Sequence, residues 1–580
     1  MQNRPFLFHK TRAWFLGKRF AALLVPLVIL VSCVPAEGLA AAVPDAVTPN
    51  AKAALTITPA TPPAAPQPAS SATTYPIGVW VDESVPDEIS QKITLPAGYT
   101  RTASEQSARF EVAPLPGNAP PAGVVAEWVY ALAAPFPTAL DEVDFDMVMD
   151  AWQGKPAAEF AKRPILMTAE TRSALSIAWG EPAASAVAIL EEEQLLAEAW
   201  DNQPAWAILP FHKLEPRWKV LQVDSQTPLA RNFNSLDYPL TIRFGLVGSS
   251  DKADFDQHPE QELQQQIITN RDPQKMTSLV MTGTTAMVRN LALRMEEKGV
   301  LYPAENIGGL LRDADLTHVS NEVPFFDECP PAVPLRREAR FCSDPRYLEL
   351  LESVGVDLIE VTGNHVLDWG EEPFIDTLDL YDREGLRYYG GGRNLSESQE
   401  PLFIEDHGNR LVFIGCNAIG PENILARANQ AGAAPCDLEK MSRQVGELRE
   451  KGYLPIFTFQ HFEFEEVHPH SAQRPDFLRM ADAGAVIVSG SQAHFAQGMK
   501  FRGQSFVHFG LGNLFFDQME ERNRPAFIDR HIFYDGRYLG IELITTLLED
   551  YARPRLMIPD EREEMLNRVF KDSEWEDVKE

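Results

Sequence analysis

The stretch "VDLIEVTGNHVLDWG", residues 356–370, decides the fold. It opens as an apolar strand and breaks into a polar loop carrying Asn364, His365 and Asp368. The same pattern recurs at "SLVMTGTTAMVRN", "DLTHVSNEVPF", "LPIFTFQHFEFEE" and "AVIVSGSQAHFAQ", with "SFVHFGLGNLFFD" close behind the last. Between these strands sit segments with helical spacing of apolar residues, such as "LALRMEEKG", "PRYLELLESVG", "PFIDTLDLYDREG" and "RPDFLRMADAG". Strands alternating with helices predict an α/β architecture. In such sheets the strand ends line one edge, so residues distant in sequence become neighbours there.

The residues gathered at that edge are Thr284, Asn321, Glu322, Asn364, His365, Asp368, Gln460, His461, Glu463, Gln492, His494 and Asn513. Carboxylates, amides and histidines meeting at one place suit one or two divalent metals that activate water against a phosphate or amide bond. Asn364 and Asp368 also suit a sharp turn for purely local reasons. The "FQHFEFE" alternation allows His461 to face solvent.

The rest of the chain sets the context. Its 580 residues exceed one hydrophobic core and predict two to four domains at ~150 residues each. Lys and Arg number 52 against 83 Asp and Glu, for a net charge of -31. That balance argues against nucleic acid, whose phosphates need a basic surface. Any polyanionic partner would need a locally basic groove, for which Arg289, Arg312 and Lys500 are candidates.

At the N-terminus, Lys10, Arg12, Lys18 and Arg19 precede the apolar run "FAALLVPLVILVS". A basic region followed by a short apolar run is a secretory signal, too short to span a bilayer comfortably. The run ends "LVSC", which resembles the bacterial lipobox, with Cys33 as the lipidated residue. Cleavage further on, after "GLAAA", is the alternative. Either way the expectation is an extracytoplasmic protein, held to the cell membrane by a lipid anchor in the first case. Four further cysteines, Cys329, Cys342, Cys416 and Cys436, suggest disulfides in an oxidising compartment. The nearest pairing is Cys329–Cys342 with Cys416–Cys436; the other connectivities, and a free buried Cys416, remain open. No C-x-x-C occurs to suggest a cysteine zinc site.

The predicted organisation is a signal peptide over 1–33, an Ala/Pro/Thr-rich linker over 34–74, a smaller α/β domain over 75–249, the main domain over 274–548 and a charged tail over 549–580. In the smaller domain, "VAEWVYALAAPF" and "SAVAILEEEQLLAEAW" have helical spacing, and "PILMT" and "AWAILPFHKL" read as strands. Its order weakly resembles the periplasmic solute-binding fold. In the tail, "DEREEMLNRVF" reads as a surface helix.

"TGNHVLDWG", "SGSQAHFAQ" and "FGLGNLFFD", in this order and spacing, resemble the CapA-type capsule-synthesis (poly-gamma-glutamate synthesis) family over about residues 274–548. The resemblance implies a metallophosphatase-like fold, a four-layer α/β/β/α sandwich. It implies a role in making, anchoring or trimming an extracellular polymer such as a poly-gamma-glutamate capsule, the expected partner. It also implies metal ligands at the strand ends, with several replaced here. Gly283-Thr284 stands where the family usually has Gly-Asp. Gln460 falls at a histidine position by one alignment, and Gln492 replaces the first histidine of Gly-His-x-His. An amide or hydroxyl is a weak ligand, so a dinuclear centre would be badly weakened. Three outcomes stay open: one divalent metal on Glu322, Asn364 and His494; no metal, with Thr284, Gln460 and Gln492 in a hydrogen-bonding pocket; or metal-free acid–base chemistry by His365 and Glu463. The first and third describe a hydrolase, with His365 and Asp368 as catalytic candidates. The second describes a non-catalytic envelope ligand-binding or scaffold protein.

Overall fold

The computed structural model describes residues 76–115, 124–155, 158–160, 163–248, 267–333, 340–573 and 575. Cys33, the signal and the linker lie outside the described residues. Among the described residues, no helix is long and apolar enough to cross a membrane.

The strand that carries the first site residues, Met276–Thr285, is buried along its whole length. A strand covered on both faces must be apolar or internally satisfied throughout, which is why its sequence lacks alternation. It lies at the centre of a seven-stranded sheet. On one side follow Leu316–Asn321, Leu358–Glu360 and Arg387–Tyr389, all parallel. On the other side lie Pro525–Tyr534, Arg537–Glu549 and Arg553–Leu556, all antiparallel. A second sheet has six strands, with Asn409–Asn417, Leu454–Gln460, Ile487–Ser489 and Ser505–His508 parallel at its centre.

Three apolar layers show how the sheets stack. Leu279, Leu316 and Leu358 of the first sheet meet Phe413, Ile456 and Phe506 of the second in one core. On the far side of the first sheet, Val280, Val319 and Ile359 pack with Leu291, Leu351 and Phe374 from helices. On the far side of the second, Val412, Phe457 and Val488 pack with Met441, Phe477 and Met480. This is the α/β/β/α sandwich that the family resemblance implies. Helix Glu371–Glu384 illustrates the local logic. Phe374, Leu378 and Tyr381 make its buried stripe, and Gly385 ends it in the left-handed conformation at φ 74. Both disulfides of the nearest-neighbour pairing are formed, Cys329–Cys342 and Cys416–Cys436.

Two glycines let the strand ends converge. A Cβ on Gly283 would lie 1.8 Å from the carbonyl oxygen of Gly512, and one on Gly490 would lie 2.0 Å from that of Phe509. The segment 509–512 therefore runs hard against the ends of both sheets. A Gly490→Ala variant is expected to push this segment away, destabilising the fold by about 1–3 kcal/mol and opening the site. Urea unfolding checks the first effect, and metal retention the second.

The N-terminal region is a mixed sheet of ten strands with helices packed on it. The stretch "VAEWVYALAAPF" is a strand, Val124–Pro135, and not a helix. It pairs with Thr241–Gly248, Ala207–Pro210 and Trp218–Val220, so it is apolar on both faces, and apolar spacing alone cannot separate that case from a buried helix. "SAVAILEEEQLLAEAW" divides into a short strand, Val187–Ile189, and a helix, Glu192–Asp201. The core of this region continues into the sandwich. Met276, Ile532 and Tyr534 belong to it, and Phe136 packs edge-on against Phe501 and Phe506. Residues Thr73–Glu580 accordingly form one compact unit. The tail helix, Pro559–Asp572, lies at the surface and packs through one face. Met565, Leu566, Val569 and Phe570 make a stripe that completes the inter-sheet core.

Candidate metal centre

The carboxyl ends of the parallel strands bring most of the candidate residues to one place. Glu322 follows the strand Leu316–Asn321 and is 1 % exposed. His494, 7 % exposed, follows Ile487–Ser489. His494 Nε2 lies 3.5 Å from Glu322 Oε1 and 3.7 Å from Glu463 Oε1. These three side chains form a group whose ligand atoms all lie within 4.8 Å of one another. The opposite ring nitrogen, Nδ1, is fixed at 2.7 Å by Asn513 Oδ1, and Phe516 covers the ring at 4.6 Å between centroids. Asn513 is itself held, donating to Gln518 Oε1 at 3.1 Å. A ligand imidazole needs this kind of outer support to fix its tautomer and direction.

Charge is concentrated here. Burial alone would lower the His494 pKa, but Glu322, Glu463 and Asn513 outweigh it and hold it at about 9. Burial likewise opposes ionisation of Glu322, yet His494, His365 and Arg289 hold its carboxyl below the usual value.

His365 and Asp368 form a second pair beside it. His365 Nδ1 is 2.8 Å from Asp368 Oδ2, which also accepts from the Phe341 N–H at 2.7 Å. Phe341 packs edge-on against the imidazole at 4.8 Å. Burial would lower the His365 pKa, but Asp368 and Glu322 raise it.

The neutral residues are also present and are unusually bare. Gln460 and Gln492 are buried, and neither has a hydrogen-bond partner on either side-chain atom. Thr284 Oγ1 and Asn364 Oδ1 are likewise buried and unpartnered. Buried polar atoms are rarely left so, and several at one place indicate a site for a bound species.

Two candidates point elsewhere. Asn321, one residue before Glu322 on the strand, donates at 2.8 Å to both Val323 O and Tyr381 Oη, on the helix side of the sheet. His461 is buried and not solvent-facing; its Nε2 lies 3.0 Å from Asp476 Oδ2 on the next helix. Of the three basic candidates, Arg289 is the one that acts on Glu322. Arg312 donates to Ser353 O at 2.6 Å, and Lys500 is buried.

Asp517 was not singled out from the sequence. It pairs with Arg289 and accepts from the Asn290 N–H at 2.9 Å, fixing the cation beside Glu322. Its signal was the aspartate closing "FGLGNLFFD". Glu360 was also hidden, inside the apolar run "LIEV". It is fully buried beneath the site, accepting from Thr362 Oγ1 at 2.6 Å and from Ser491 Oγ. It thereby ties the Asn364 loop to the Gln492 loop.

The donor set fits one divalent ion. Glu322 and Glu463 supply charge and His494 supplies nitrogen. A second ion would find only Thr284, Gln460 and Gln492, without an anionic ligand among them, and these residues do not fit it.

Fold and site together define a four-layer α/β/β/α domain with a candidate metal centre at its strand ends. Residues 278–518 match the family described as bacterial capsule synthesis protein PGA_cap. The capsule biosynthesis protein CapA of Bacillus anthracis is 21 % identical over 310 residues, 52 % of this chain and 74 % of that protein. The PGA biosynthesis protein CapA of Bacillus subtilis (strain 168) is 22 % identical over 258 residues, 44 % of this chain and 67 % of that protein. Among solved structures, a novel phosphatase from Mycoplasma pneumoniae aligns over 47 % of this chain and 94 % of its own, at 12 % identity and TM-score 0.30. An ABC-type phosphate transport receptor from Vibrio cholerae aligns over 31 % and 88 %, at 14 % identity and TM-score 0.25.

Proposed function

We propose that the chain is a cell-envelope protein that acts in synthesis, anchoring or trimming of an extracellular capsule polymer, as a hydrolase with one divalent metal. The observation that carries the reading is the convergence of Glu322, Glu463 and His494, with unpartnered buried oxygens around them, inside the region that matches the capsule family.

Bound there, a divalent ion would supply Lewis acidity and lower the pKa of water. The chain's own residues do the rest. Asn513 and Phe516 fix the imidazole of His494. Asp368 holds Nδ1 of His365, leaving the other ring nitrogen to give a proton to a departing group. Gln460, Gln492 and Thr284 offer neutral donors and acceptors where a substrate's polar groups would lie. A lipid anchor on Cys33 would place this site outside the cytoplasm.

The same bare amides favour a second reading, a pocket that binds a polymer segment or envelope ligand without cutting it. His365→Ala separates the two. In cells lacking the native chain, a hydrolase predicts that this variant folds, still reaches the envelope and leaves the surface polymer abnormal. A restored normal polymer would favour the binding reading.

A further inference from the structure

Far from the metal centre, the strand Arg537–Glu549 walls a cavity of about 300 Å³. That volume is at the lower end for small-molecule sites. Its lining is mostly apolar, with Phe136 from the N-terminal region, Leu543 from the strand and Leu556, Met557, Leu566 and Phe570 from the chain's end.

Five ionisable side chains also line it: Asp141, Lys219, Arg530, Glu542 and Arg562. Most are matched. Asp141 accepts from Arg562 at 2.5 and 2.8 Å and from Lys219 at 2.7 Å. Arg530 is the exception. Its Nε is buried and has no hydrogen-bond partner. Its remaining contacts are long: Nη1 is 3.3 Å from Glu542 Oε2, and Nη2 is 3.5 Å from Leu310 O. Asp313 stands 3.9 Å away with a side chain 58 % exposed, so water screens it. Glu542 is Arg530's cross-strand partner, which explains the Nη1 contact but not the unmet Nε. A buried donor left without an acceptor is costly, and a guanidinium presents its donors as a fork shaped for a carboxylate. The lining also holds three cations against two carboxylates, so one added anion balances it.

We propose that this cavity binds a single-chain carboxylate. Its head meets the Arg530 guanidinium through Nη1 and Nη2, whose own contacts are long, and its alkyl chain lies along Leu543, Leu556, Met557 and Leu566. This goes beyond the metal centre and does not depend on it.

Decanoate, titrated calorimetrically into the full chain, is the test. Saturable one-site binding is expected, weakened about tenfold or more in Arg530→Gln. Decanol, which lacks the charge, and acetate, which lacks the chain, should both bind more weakly than decanoate. Leu556 is 45 % exposed at the cavity wall, so Leu556→Glu spares the fold and should weaken decanoate as well. Circular dichroism confirms that both variants are folded. The proposal is overturned by an absence of saturable binding, by decanol binding as tightly as decanoate, or by folded variants that bind like the parent.

Discussion

Replacing Asp529 by alanine is expected to cost about 1–3 kcal/mol of stability, the range for leaving a buried hydrogen-bonding group without its partner. Asp529 lies on the strand Pro525–Tyr534, and its Oδ2 is 2.6 Å from His508 Nδ1 on the second sheet. Both residues are buried between the sheets. The pair joins the two halves of the sandwich in a layer that is mostly apolar. Without Asp529, His508 loses its acceptor in a place water does not reach. Urea unfolding should show a lower midpoint with an unchanged slope. A loss under about 1 kcal/mol would mean that the pair contributes little beyond its own desolvation.

Acid sensitivity is the second large effect. His318 and His531 are buried in the same layer, and burial depresses their pKa values to about 3 and about 4. Each ring also meets a tyrosine hydroxyl, with His318 Nε2 2.8 Å from Tyr389 Oη and His531 Nδ1 2.7 Å from Tyr538 Oη. In the unfolded chain both take a proton near pH ~6.5. Between ~6.5 and the folded values, the unfolded state binds more protons than the native one. The linkage relation then makes stability fall as pH falls through this window, by roughly 1.4 kcal/mol per pH unit for each histidine. His212 and His461, also lowered by burial, act in the same direction. Unfolding free energies measured across this window should therefore slope steeply, and the slope should be shallower in His531→Gln. A flat profile would show that these rings are protonated in the fold.

The α/β strands are legible where they end in polar loops, because that change of character is local; that they form two facing sheets is implied only by the family resemblance. The sequence did not reveal the hairpin Pro525–Glu549, although Asp535-Gly536, both with positive φ, is a turn signal between its strands. It misread Val124–Pro135, where burial on both faces erased the alternation that marks a strand. In the site, residue types at the loops were enough to name Glu322, His365 and His494. Glu463 was named from the same loop pattern, and its approach to His494 follows from the path of residues 461–473, which apolar spacing does not specify. Asn321 was misplaced because adjacent strand residues face opposite sides. Glu360 escaped because a carboxylate inside an apolar run gives no sign of the hydroxyls that tertiary structure brings to it.

The central claim is a single metal held by Glu322, Glu463 and His494. Metal content of the purified chain, prepared without chelator and then incubated with each of zinc, manganese and iron, tests it most directly. About one equivalent per chain is expected, lost in both Glu322→Gln and His494→Ala while the fold persists. No bound metal under any of these conditions, or a second equivalent bound as firmly as the first, would contradict it.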